Sequence, residues 1–138
     1  MTVVKFAKLE RQEKARLLCS LAEEQLNGGK RVLIKVQDDN QAVSLDRFMW
    51  TWDRGAFLPH AFDNGSVDCI EEPIVITVAE ENSNAAPVLI MGQPCSLDFI
   101  QRFELVIDFA EVYDKHLAAL SRDRFRLYRE HGFKPQMY

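Results

Sequence analysis

Five residues near the end of the chain have the types and the spacing to hold an anion: Lys115, Arg122, Phe125, Arg126 and Arg129. A helix advances about 100° per residue, so the four cations gather on one side with Phe125 at its border. Ala118 and Ala119 keep that side low. Arginine presents a planar fork of donors that matches a carboxylate bidentately. An exposed phenyl ring gains nothing from a purely solvated face. The set therefore reads as a docking site for an acidic peptide that ends in an aromatic residue. The competing reading is a solvated helix surface, with cations that answer the helix dipole at about 0.3–1 kcal/mol each. Charge separates the two parts of the chain. Residues 112–138 hold six Lys/Arg against three Asp/Glu, whereas residues 1–111 hold eleven against eighteen.

Other residue sets carry less. Asn27-Gly28-Gly29-Lys30-Arg31 has the composition of a phosphate loop but precedes a strand, and such loops follow one. His60, His116 and His131 are dispersed, and Cys19, Cys69 and Cys95 have no ligand spacing, so no metal is expected. No cofactor is expected either. Asp38 and Asp39 follow a strand, where α/β folds often place site residues. They support an alternative reading as the site of a small cytoplasmic α/β enzyme, against the simpler one of a helix cap. A second unusual feature is aromatic: Phe48, Trp50, Trp52 and Phe57, with Met49, crowd ahead of Pro59-His60. One helix face cannot bury them all, and the excess predicts an exposed patch for a protein partner. His60 reads as a turn or interface residue.

These residues must be positioned by a chain of 138 residues, 47% hydrophobic and 28% charged, which predicts one domain over residues 1–138. A net charge of −4 argues against direct duplex DNA binding. No stretch is long and apolar enough to span a membrane, no secretory signal is visible, and an odd number of cysteines suits the cytoplasm. Strands are expected at Val3–Ala7, Arg31–Val36, Pro73–Ala79, Pro87–Met91 and Glu104–Phe109. Helices are expected over Glu10–Asn27, from a cap at 38–40 to about Trp52, near Leu97–Arg102, and from Val112 to a stop at Gly132. Ala42, Leu45 and Met49, with part of Trp50, would face inward from the second. Tyr113, Leu117, Leu120, Leu127 and Tyr128 would form the buried stripe of the last. The link Glu80–Ala86 is too short for a usual parallel crossover, so its flanking strands should be antiparallel if they are neighbours. Alternating strands and helices predict a three-layer α/β domain with a mostly parallel, partly mixed sheet.

Taken in order, GKRVLI (Gly29–Ile34), QAVSLDRFMW (Gln41–Trp50), FLPH (Phe57–His60) and the ending VIDFAEVYD…SRDRFRLYREHGF resemble the chi subunit of bacterial DNA polymerase III. The resemblance runs nearly end to end. It implies a Rossmann-like fold, related in shape to helicase domains but without a nucleotide site, and a non-enzymatic accessory role in the clamp-loader complex. It also implies two partners. The acidic C-terminal tail of single-stranded DNA-binding protein would sit on Arg122, Phe125, Arg126 and Gly132, with Phe133 adjacent; Arg129 and Lys115, from their place on the basic side and not from the resemblance, would add longer-range attraction. The psi subunit would sit on Trp50, Phe57 and Pro59. Phe125 stands where the family carries tyrosine and Arg126 where lysine is usual, so charge and ring survive while a phenolic hydrogen bond does not.

Overall fold

The computed structural model describes residues 2–52 and 58–138. Phe57, one of the residues expected to face psi, lies outside the described residues. The elements follow in the order β1 (Val3–Leu9), α1 (Lys14–Asn27), β2 (Val32–Lys35), α2 (Asp39–Trp50), β3 (Ala61–Phe62), β4 (Ile74–Thr77), β5 (Val88–Met91), α3 (Leu97–Ile100), β6 (Leu105–Glu111), α4 (Lys115–Glu130) and β7 (Gln136–Met137). The seven strands form one sheet in the order β3-β4-β2-β5-β6-β1-β7.

All pairings among the described residues are parallel, so the sheet has no mixed part. β4 and β5 are not neighbours: β2 lies between them and pairs with both. The condition for an antiparallel pair therefore never arises. Residues 78–87 return the chain without a helix because the strands they join are only four residues long. At roughly 3.3 Å per extended residue this is ample reach. Asparagine side chains give the link its shape. Asn82 exchanges hydrogen bonds with the backbone of Ala86 at 2.9 and 3.0 Å. Buried Asn84 donates to the Val32 and Glu72 carbonyls at 3.2 and 2.9 Å, at the start of the sheet.

The strands are apolar on both faces because both are covered. Val32, Ile34, Ile74, Ile76, Val88, Ile90, Ile107 and Phe109 pack with Leu18, Cys19, Leu21, Ala22, Ala42, Leu45 and Met49 of α1 and α2. Val4, Phe6, Leu33, Val75, Leu89, Met91 and Val106 face α3 and α4 through Phe99, Ile100, Phe103 and Tyr128. Three layers result, as the alternation predicted. Residues 10–13 stay outside α1, which begins at Lys14. Asp38 caps α2, its carboxylate accepting from Gln41 N–H at 2.9 Å, and both Asp38 and Asp39 are exposed.

Close approach decides one glycine. At Gly92, just past β5, an added Cβ would lie 2.8 Å from the Lys35 carbonyl oxygen and 3.2 Å from Val36 Cγ1. The Gly92 carbonyl also accepts from Lys14 Nζ at 2.9 Å. Gly92→Ala should therefore shift backbone rather than a flexible side chain and lower stability by ~1–3 kcal/mol in denaturant unfolding. An unchanged midpoint would mean that this strand end can yield without loss.

Candidate functional site

The last helix is fixed at both ends. Asp114 caps it by accepting from Leu117 N–H at 2.9 Å. At the other end Phe133 N–H reaches Tyr128 O (3.0 Å) and Gly132 N–H reaches Arg129 O (3.1 Å), with Gly132 at φ +81°. That is a Schellman stop, which needs a left-handed residue after the cap and so favours glycine.

The side of α4 turned to the sheet differs from the expected apolar stripe. Ser121 and Tyr128 are buried, and Leu117, Arg124 and Phe125 are half-buried, while Leu120 and Leu127 remain 41% and 39% exposed. The reason is polar. Arg124 Nε and Nη2 donate to Asp108 Oδ2 and Oδ1 of β6 at 2.9 and 3.1 Å, and Nη2 also reaches Phe109 O at 3.2 Å. Tyr128 OH donates to Asp108 Oδ2 at 2.9 Å. Ser121 Oγ accepts from Glu111 N–H at 3.2 Å and lies 3.1 Å from Phe109 O. Burial alone would lower the Arg124 pKa, but the hydrogen bonds and charge of Asp108 outweigh it and raise it. Burial first, and the Asp108 charge second, push the Tyr128 phenol up. Sequence reading missed this network, because an Arg and a Ser in a basic helix look like surface residues.

With those residues turned in, Arg122, Arg126 and Arg129 are exposed. Arg126 makes an exposed ion pair with Asp123 at 3.4 Å. Phe125 lies at the border of this basic side, its ring 5.3 Å from that of Phe6, with the Arg129 guanidinium 5.2 Å from its centroid. Phe133 is half-buried and meets the Tyr128 ring edge-on at 6.3 Å. A notch of ≈ 140 Å³ opens beside Phe125, lined by Phe6, Ala110, Val112, Ala118, Ser121, Arg122, Phe125 and Met137. It lies toward the start of α4 and against the sheet edge, not at the Gly132 end. Met137 belongs to β7, whose two exposed residues carry no strand pattern and could not be read from the sequence.

The aromatic cluster divides. Phe48 and Trp52 pack together with centroids 6.1 Å apart, and Trp52 Nε1 donates to Glu23 of α1 at 3.2 Å. Trp50 turns outward instead, 57% exposed, with its ring 4.8 Å from that of His60. His60 itself is buried, with Nδ1 2.7 Å from Leu58 O and Nε2 2.9 Å from Asp46 Oδ1. Pro59 is half-buried beside them, and Val43 of α2 adds exposed apolar surface. Trp50 and Pro59 are thus brought near one another, well apart in the chain from α4.

Among the described residues no group of three or more His, Cys, Asp or Glu is placed to hold a metal ion. Burial, with lesser help from Glu23, pushes the Cys19 thiol up to about 12, and burial likewise raises Cys95 to about 12. Neither is an activated nucleophile. Among the described residues no helix is long and apolar enough to cross a membrane.

Against known families, a model described as DNA polymerase III chi subunit, HolC, matches residues 1–136. The chain belongs to that family. Curated relatives named DNA polymerase III subunit chi agree with it. The Escherichia coli (strain K12) protein is 34% identical over 86% of this chain and 80% of its own length. The Pseudomonas aeruginosa protein is 28% identical over 88% of this chain and 82% of its own. That of Haemophilus influenzae is 30% identical over 85% and 81%. In structure, the chain is similar to that in the crystal structure of T4 UvsW, with a TM-score of 0.66 and 9% identity, over 99% of this chain and 40% of that one. At that identity the likeness concerns the fold alone. Membership of the chi family makes this chain an accessory subunit of DNA polymerase III in replication, not a catalytic one.

Proposed function

We propose that this chi-family chain links the polymerase III clamp-loader complex to single-stranded DNA-binding protein by holding the acidic C-terminal tail of the latter on α4. The observation that carries the reading is the union, on one side of one helix, of three exposed arginines with a half-buried phenyl ring at a small apolar notch. The rest of the protein is acidic. Arg122, Arg126 and Arg129 take the tail's carboxylates, and Lys115 adds longer-range attraction. The terminal aromatic residue is held against Phe125 in the notch, and Gly132 and Phe133 close the far end of the track. Titration of a labelled tail peptide tests this reading.

The surface of Trp50 and Pro59 takes the psi subunit. Its support is the outward turn of Trp50 in a cluster whose other described rings pack inward. Trp50→Ala should leave the unfolding midpoint within about 0.5 kcal/mol of wild type while weakening psi association by roughly 2 kcal/mol or more, the loss typical of a hot-spot tryptophan. Unfolding of this variant would instead make Trp50 a core residue through its contact with His60.

A further inference from the structure

The apolar residues of α4 lie on two flanks: Phe125 and Tyr128 pack on Phe6, while Leu120 and Leu127 stay exposed. Leu120 and Leu127 sit one helical turn-pair apart on one flank, and rotation by about one residue, ~100°, would carry them to the places now held by Ser121 and Tyr128. That rotation would bury Leu120 and Leu127 in exchange for the rings of Tyr128 and Phe125, so two leucines compete with two rings for the same sheet face. It would also lift the Phe125 ring off Phe6 and dismantle the notch. The rings of Phe125 and Tyr128 on Phe6 oppose it, and so does the network under the helix. Asp108 is 3% exposed at its side chain, holds Arg124 bidentately and accepts from Tyr128, and Ser121 ties the preceding turn to β6. Each of these bonds is made only in the observed rotation.

We infer that the Asp108–Arg124–Tyr128 network is a register lock: it sets the rotation of α4, and thereby positions Phe125 and the notch for an aromatic-ended anionic peptide without touching that peptide. A buried ion pair is a poor source of stability but a good specifier of register. Arg124, one of the cations of the positive end of the chain, thus belongs to positioning and not to the ligand face. The inference rests on the proposed tail reading and assigns residues beyond it.

The test compares an acidic peptide ending in phenylalanine with the same peptide lacking that residue. Wild type should prefer the ring-ended peptide. The double variant Asp108→Asn/Arg124→Met replaces the pair by neutral groups of similar size, and in it that preference should fall roughly tenfold, toward parity. The salt dependence of the remaining binding should not change, since Arg122, Arg126 and Arg129 are intact. Arg124→Lys, which cannot hold a carboxylate bidentately, and Tyr128→Phe, which loses one bond, should fall between. These two milder variants decide the matter if the double variant does not fold. A wild-type preference retained in variants with lowered melting temperature would show that the network is merely structural and would overturn the inference. Absence of any preference in wild type would defeat the tail reading first, and this inference with it.

Discussion

Asp108→Ala is expected to be among the most destabilising single changes outside the apolar core, at ~3–5 kcal/mol in denaturant unfolding. The carboxylate is almost completely buried in the middle of an interior strand, at the position paired with Phe6 of β1. It is the shared acceptor for Arg124 and for the phenol of Tyr128. Its removal leaves a guanidinium, only 17% exposed at its side chain, without its counter-charge. The cost is chiefly that of the stranded charge, not the net worth of the pair, so Asp108→Asn/Arg124→Met should recover much of it. Exposed pairs such as Lys8–Glu10 and Arg126–Asp123 should each be worth less than about 1 kcal/mol. A loss below 1 kcal/mol in Asp108→Ala would mean that water enters under α4 and replaces the carboxylate, contrary to the geometry described.

The same network marks the limit of what the sequence made legible. Every strand longer than two residues, every helix and the three-layer arrangement followed from hydrophobic period and capping chemistry: Asp38 caps and Gly132 stops, as their types imply, while the last helix begins at Lys115 behind an Asp114 cap and not at Val112. β3 and β7 did not follow, because a two-residue strand has no period to detect. Neither did the separation of β4 from β5. Strand order depends on which neighbour each strand finds, and the link between them is shaped by two asparagines rather than by a helix. The stripe assigned to α4 failed at Leu120 and Leu127 for a related reason. A wheel weighs hydrophobicity and cannot see that Arg124 has a buried carboxylate waiting on β6. In the aromatic cluster, crowding predicted an excess and a partly exposed Trp50, but not how the other rings would pack. Phe48 and Trp52 fill the space between α1 and α2. The basic side with Phe125 at its border was legible directly, since exposed cations at helical spacing need no tertiary information.

The second large effect concerns that basic side. Charge-assisted hydrogen bonds contribute ~1.5–3 kcal/mol each, so Arg122→Ala and Arg126→Ala should each weaken the tail by roughly tenfold or more. Both side chains are exposed, so neither change should move the unfolding midpoint appreciably. Lys115→Ala should mainly slow association and flatten its salt dependence. Phe125→Ala should remove the preference for a terminal ring, with a stability loss from its contact with Phe6. The most direct measurement is titration of a labelled acidic tail peptide into wild type, Arg122→Ala and Arg126→Ala at low and moderate salt, with and without the peptide's terminal aromatic residue. Wild type should bind in a salt-sensitive manner, each arginine variant should bind at least tenfold more weakly, and removal of the ring should weaken wild type further. Equal affinity across wild type and both variants would contradict the account and return this helix face to an ordinary solvated surface.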